Sequence, residues 1–345
     1  MAGDVQVMRG RKRLSGIQLR AGLAVLHMGL AVSLCGCGLS GASKLERAYS
    51  FEERPFLLED SQVNEALTVP LFAQDLCVVS DEASFDPSDV DSEAGILFSL
   101  SDGEVLYSKN AFEKLYPAST TKIMTALLAI KYGNLDDEVT VTQDAVITEA
   151  GATLADIKPG DVLTMRQLLY GLMLPSGNDA GAAIAVHMSQ SIEGFAQLMN
   201  QEAAQLGATN THFVNPHGLH DENHYTTAYD LYLIFNEALK YPEFREVTKT
   251  VAYTADYKDK DGNAVNKIWE GGNWYLTGRR QAPEGVTVFS GKTGTTRAAG
   301  CCLVMASREG SGQEGENEYV SIILKAKDRN NLYDNMTNII SKIVN

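Results

Sequence analysis

The sequence predicts an α/β (α+β) fold. One mixed sheet is assembled from the two chain ends and a helical lobe is inserted between them. Three observations predict it. Strand-like runs around an Asp-Gly turn, Gly95–Leu100 and Glu104–Ser108 about Asp102-Gly103, lie early in the chain. Three more, Val286–Lys292, Cys301–Ala306 and Tyr319–Ala326, lie late. Between them run segments of helical period with caps and stops, and no internal repeat is visible. The 345 residues allow one large or two modest domains, and 44% hydrophobic with 21% charged residues is the composition of an ordinary globular chain.

Residues 1–37 read as a signal peptide. Arg9, Arg11, Lys12, Arg13 and Arg20 form a basic region, followed by the apolar run Ala21–Leu34, too short for a confident membrane span. Leu34-Cys35-Gly36-Cys37 resembles the lipobox of bacterial lipoproteins, which implies cleavage before Cys37 and lipid on it. An uncleaved N-terminal anchor is the alternative, and either way the body is expected to be exported. Residues 38–66 read as a tether and 67–345 as the folded domain. Within the latter, Leu67–Val79 is apolar enough for an edge strand or docked segment. Asp81–Glu93, with six acids, reads as a solvated loop.

In the middle, a helix is expected from Ser119, just after Pro117. Thr164–Leu174 has an N-cap and stops at Pro175. Asn178–Met188, Ile192–Leu206 before Gly207, and Thr227–Leu239 before Pro242 follow. From Val247 the pattern turns to β, with a second hairpin, Val251–Tyr257 and Ala264–Trp269, about Asp261-Gly262. Asn331–Val344 closes the chain with Leu332, Met336, Ile339, Ile340 and Ile343 on one side. A site is expected in the cleft between sheet and lobe.

The chain holds 29 Lys+Arg and 44 Asp+Glu; removing residues 1–37 takes away five basic residues and one acid and leaves 24 against 43. That balance argues against a nucleic-acid partner. Cys77, Cys301 and Cys302 form neither a zinc pattern nor a disulfide framework. Adjacent Cys301 and Cys302 in a strand point to opposite faces and read as small core residues.

Ser119 and Lys122 are three residues apart, so a helix brings hydroxyl and amine to one face. The helix N-terminus offers free N–H groups and a positive dipole end to developing negative charge. Alone, the pair also reads as a helix cap and a solvated lysine. Two further signatures follow in order: Ser176-Gly177-Asn178 between two helices, and Lys292-Thr293-Gly294 at a strand end. Each is an ordinary loop or strand end by itself. Together S-x-x-K, S-x-N and K-T-G form the set of penicillin-binding proteins and class A β-lactamases. Ser108-Lys109-Asn110 also fits S-x-N, but it precedes the nucleophile and ends a hairpin strand.

On these motifs, and on the stretches VLYSKNAFEKLYPASTTKIMTALLAI, LLYGLMLPSGNDA, THFVNPHGLHDENHYTTAYDL and SGKTGTTRAAGC, residues 67–345 resemble the serine-type D-alanyl-D-alanine carboxypeptidases. These are the low-molecular-weight penicillin-binding proteins of peptidase family S11. The resemblance implies a β-lactamase/transpeptidase-like fold, an antiparallel sheet flanked by helices. It implies removal of the terminal D-Ala from D-Ala-D-Ala stem peptides of peptidoglycan, through an acyl-enzyme on Ser119 that β-lactams also form. Lys122, if neutral, is then the base, and Lys292 the second ammonium that depresses its pKa. Ser176 relays a proton to the leaving amine, and Asn178 holds Lys122 and the substrate amide. Lys292 and Thr293 bind the terminal carboxylate, Gly294 permits close approach, and the N–H groups of Ser119 and Thr295 form an oxyanion hole. Arg297 could assist with the carboxylate, although a strand-end arginine is more often solvated. No cofactor is implied.

Two other functions compete. A class A β-lactamase should carry E-x-x-L-N in its lobe, which is absent between Asn178 and Lys292, and its middle triplet is Ser-Asp-Asn. A non-catalytic β-lactam sensor would be expected with a signalling domain, and none is evident. His212, His217, His220 and His224 have spacings that zinc can use, but they lack a cysteine or clear carboxylate partner and match a recurring family segment. No metal is therefore expected. Longer family members add a C-terminal β-domain and often an anchor helix. Here the chain ends at Asn345 after the closing helix, so membrane attachment is expected from the N-terminus.

Overall fold

The structure is a computed structural model that describes residues 76–79, 90–310 and 317–344. The expected signal peptide of residues 1–37 with Cys37, the expected tether of residues 38–66 and most of the 67–93 segment lie outside the described residues. Five strands form the main sheet: β1 (Ala94–Ser99), β2 (Val105–Lys109), β7 (Val286–Thr296), β8 (Gly300–Glu309) and β9 (Glu318–Ala326), ordered β2-β1-β9-β8-β7. It draws on both chain ends as expected. Every ladder is antiparallel rather than mixed.

Both faces of this sheet are covered, so its central strands are buried along their length rather than alternating with solvent. Ile96, Phe98, Val304 and Ile322 enter one core, while Leu97, Leu303, Met305 and Ile323 enter the other. Helix α7 (Arg329–Ile340) covers the second face with Leu332, Tyr333, Met336 and Ile339. Cys302 falls in the first core and Cys301 in the second, on opposite faces as their adjacency implies.

Between the sheet halves lie α1 (Lys122–Tyr132), α2 (Met165–Met173), α3 (Asn178–Ser189), α4 (Ile192–Gln205), α5 (Ala228–Leu239) and α6 (Pro242–Lys249). In α1, residues Lys122 through Ala129 are all buried, mostly apolar with Lys122 and Thr125 among them, so this helix runs through the core. Thr164 caps α2 with a reciprocal box, its Oγ1 accepting from Gln167 N while Gln167 Oε1 accepts from Thr164 N.

Three expectations need correction. The second hairpin, β5 (Ala252–Lys258) and β6 (Ala264–Glu270), does not join the main sheet. It extends β3 (Glu138–Thr140) and β4 (Val162–Thr164) into a separate four-stranded sheet. Aromatic docking explains this: Tyr253 stacks on Tyr170 at 3.8 Å, and the Trp269 indole N–H donates to the Ala155 carbonyl at 3.0 Å. Pro242 does not merely follow α5. It begins α6 at a position that needs no N–H, so helix persists past Val247 to Lys249. The end of the acidic segment is docked, not solvated. Val90 and Ser92 are buried, and the Asp91 carboxylate accepts from Asn331 and Asn335. Among the described residues, no helix is long and apolar enough to cross a membrane.

Candidate active site

The helix expected at Ser119 starts with a 3-10 turn, Ala118–Thr121, and becomes α-helical only at Lys122. In a 3-10 turn residues i and i+3 eclipse, which brings Ser119 and Lys122 together more directly than an α-turn does. Ala118 holds φ +50°, a left-handed conformation that a residue with a Cβ adopts only when its surroundings enforce it. Two glycines form that enclosure. At Gly218, itself at φ +85°, a Cβ would lie 1.8 Å from the Ala118 carbonyl oxygen. At Gly294 it would lie 2.8 Å from Ser119 N. Gly294 therefore serves first to let β7 abut the serine turn.

Lys122 is 0% exposed. Its Nζ lies 2.6 Å from Asn178 Oδ1, 2.6 Å from the His217 carbonyl and 2.9 Å from Ser119 Oγ. The amide and carbonyl oxygens can only accept, so they commit two N–H groups. The remaining direction, toward Ser119, holds a third N–H in the ammonium and the lone pair in the amine. Burial holds the Lys122 pKa well below the usual lysine range, and the nearby Lys292 charge lowers it further, while Asp179 opposes both. A neutral amine facing a serine hydroxyl can take its proton.

Lys292 is 3% exposed, and burial lowers its pKa to about 7. Its Nζ donates to Ser176 Oγ and to the Thr293 carbonyl, both at 2.9 Å. Ser176 sits at φ +63°, at the turn that ends in Asn178. The S-x-N triplet thus divides: Asn178 addresses Lys122 and Ser176 addresses Lys292. β7 is an edge strand of the main sheet, so one side of its backbone is left for another extended chain.

Ser119, Asn178, Thr295 and Arg297 line one open cleft with His220 and the loop Glu149–Thr153. Arg297 is exposed within it. Lys292 and Thr293 line a small neighbouring hollow with Met173, Thr248 and Asn273. The K-T-G strand therefore stands between two hollows, its lysine reaching Ser176 and its Thr295 facing the cleft of Ser119.

Several partners were missed by reading the sequence. The backbone carbonyl of His217 holds Lys122, and no side-chain pattern signals a backbone acceptor. His224 Nδ1 accepts from Val214 N at 3.1 Å, which puts its proton on Nε2, 2.8 Å from Thr121 Oγ1. Burial above all pushes both His217 and His224 down to about 3, so both rings are neutral. Asp179 directly follows the S-G-N triplet and could have been marked by that adjacency. It is 3% exposed. Among the described residues, no group of three or more His, Cys, Asp or Glu is arranged to hold a metal.

Comparison with known proteins gives the context of this geometry. Residues 81–327 match the family model for the D-alanyl-D-alanine carboxypeptidases, peptidase S11. The D-alanyl-D-alanine carboxypeptidase DacF of Bacillus subtilis is 36% identical over 226 residues, 64% of this chain and 55% of that protein. DacC of Escherichia coli is 35% identical over 257 residues, 71% of this chain and 59% of its own length. The chain thus spans somewhat over half of these relatives. The crystal structure of the Streptomyces K15 DD-transpeptidase superposes with a TM-score of 0.66 at 33% identity, covering 73% of this chain and 97% of that one. The chain belongs to the peptidase S11 family, and its fold is β-lactamase/transpeptidase-like.

Proposed function

We propose that this family member is an exported serine peptidase that removes the terminal D-Ala from D-Ala-D-Ala stem peptides of peptidoglycan, and that penicillin acylates it on Ser119. The observation that carries the reading is the buried Lys122 amine, committed to two acceptors and facing Ser119 Oγ at 2.9 Å.

Ser119 Oγ attacks the carbonyl carbon of the D-Ala–D-Ala bond as its proton passes to Lys122 Nζ. The N–H groups of Ser119 and Thr295 receive the oxyanion. Asn178 holds Lys122 and the substrate amide, and Lys292 and Thr293 bind the terminal carboxylate with Arg297 beside them. The C–N bond breaks as Ser176, already hydrogen-bonded to Lys292, relays a proton to the departing D-Ala nitrogen. Water then hydrolyses the ester and restores Ser119. The residues named act without a cofactor. In this reading residues 1–37 direct export, lipid on Cys37 or an uncleaved anchor attaches the chain to the outer face of the cytoplasmic membrane, and residues 38–66 are the tether that lets the domain reach peptidoglycan.

The test is D-Ala release from a diacyl-Lys-D-Ala-D-Ala tripeptide beside hydrolysis of a chromogenic β-lactam. The reading expects multiple-turnover D-Ala release, slow β-lactam hydrolysis and a penicillin adduct on Ser119. Ser119→Ala should lose about 10⁴-fold or more of the peptidase rate. Rapid β-lactam turnover, acylation without D-Ala turnover, or an adduct on the Ser119→Ala protein would each overturn it.

A further inference from the structure

Three consecutive backbone N–H groups in the lobe converge on one carboxylate. Ala155 N donates to Asp179 Oδ1 at 2.8 Å, and Asp156 N and Ile157 N donate to Oδ2 at 2.7 and 3.1 Å. Asp156 lies at φ +64°, the left-handed turn that aims successive amides at a common point. Such a concavity is an anion nest, and here the chain fills it with its own side chain. A fourth donor, Ala180 N at 2.9 Å, comes from the first turn of α3.

The same loop is tied to the Ser176–Asn178 turn by reciprocal bonds. Asn178 N donates to the Thr153 carbonyl at 2.9 Å, and Thr153 Oγ1 donates to the Ser176 carbonyl at 3.0 Å. Residues Glu149–Thr153 are one wall of the cleft that holds Ser119. The wall and the turn are therefore tied together, and Asp179, in the first turn of α3 directly after Asn178, reaches into the loop with its charge. Its neighbour Asn178 takes the 2.6 Å bond from Lys122.

We propose that Asp179 is a positioning residue: seated in the nest of residues 155–157, it locks the cleft wall to the Ser176–Asn178 turn and so sets where Asn178 meets Lys122. The proposal rests on the reading of Ser119 as the acylated nucleophile. Its charge also reaches the base. Lys122 feels the charge of Lys292 and, with opposite sign, that of Asp179, while Lys122 itself acts on the neighbouring rings of His217 and His224.

The test follows penicillin acylation of the full chain by intact mass across pH, for wild type, Asp179→Ala and Asp179→Asn, with and without added formate. Misplacing Asn178 should slow acylation of Asp179→Ala by about 100-fold. Formate should refill the vacated nest and restore much of the rate, whereas chloride should not. Asp179→Asn, which turns an NH₂ toward N–H donors, should be slow and refractory to formate. The acid limb of Asp179→Ala should also move to lower pH, because an anion near Lys122 is gone. The limb shift reports the lost charge alone, whereas a purely structural aspartate would lower thermal stability and leave the acylation rate of the folded protein unchanged. Wild-type acylation in Asp179→Ala, or slow acylation with no formate rescue, overturns the proposal. Should neither variant fold, hydrogen exchange of the wild type decides. Amides 155–157 should be protected in the free enzyme, and protection that appears only in the penicillin adduct overturns it. Failure of the wild type itself to be acylated would instead count against the functional reading.

Discussion

Lys122, at the head of the central helix, and Lys292, on the edge strand, are both fully buried amines, but they are built differently. Lys122 has every bonding direction assigned: two to acceptors that cannot donate and one to Ser119. Lys292 has two partners, Ser176 and the Thr293 carbonyl. Burial alone lowers Lys292, to about 7, whereas Lys122 is lowered by burial and by Lys292 as well. The difference teaches how two identical side chains divide the work. In the proposed mechanism the one with its directions filled, whose pKa burial lowers most, is the proton acceptor. In the same proposal the one lowered to about 7 is the group that an arriving carboxylate would hold as a cation.

The comparison breaks most completely at Lys122. Lys122→Arg retains a cation that cannot deprotonate, so acylation of Ser119 should fall below detection, about 10⁴-fold or more. At Lys292 the loss should be smaller and of another kind. Lys292→Met removes a charge-assisted bond worth about 1.5–3 kcal/mol, so kcat/KM for the D-Ala-D-Ala peptide should fall by about 10- to 150-fold, mostly through KM.

The same variant sharpens the electrostatic claim. In wild type, kcat/KM should rise with pH as Lys122 loses its proton and fall above about 7 as Lys292 loses its own. Removing the Lys292 charge should raise the Lys122 pKa, moving the acid limb to higher pH and erasing the alkaline limb. An unmoved acid limb would show that the two amines are not coupled.

Only the Lys122 side leans on buried histidines. His217 and His224 are held at about 3 against 6.5 when unfolded. Between those values the unfolded chain binds more protons, so stability is full above about pH 6.5 and is lost as pH falls toward 3. Thermal melts should show this decline, and His224→Gln should flatten it. The smallest effect is remote from both lysines. Thr164→Ala breaks the α2 cap and should cost about 1 kcal/mol, measurable as a lower denaturant midpoint with acylation kinetics unchanged.

Much of this architecture was legible before any coordinates. The Asp102-Gly103 hairpin, the cap at Thr164 and the stop at Gly207 are local signals, and local signals survive folding. The sequence shows the second hairpin as a hairpin but not the sheet it joins. Its partners, β3 and β4, are three residues each, too short to show a period, and Tyr253 and Trp269 chose the lobe through contacts no local pattern encodes. In the site, Ser119, Lys122, Asn178 and Lys292 were recognisable because chemistry constrains their side chains. The His217 carbonyl, the left-handed Ala118 and the nest of residues 155–157 were not, because each is a property of backbone conformation.

The central claim is that Lys122 is a neutral base for Ser119. It is tested most directly by the second-order rate of penicillin acylation, read as intact mass across pH, for wild type beside Lys122→Arg. The account predicts a wild-type acid limb far below the ordinary lysine value of 10.5 and no adduct at any pH in Lys122→Arg. An adduct forming on Lys122→Arg at a rate near wild type, or a wild-type limb at the ordinary lysine value, would contradict it.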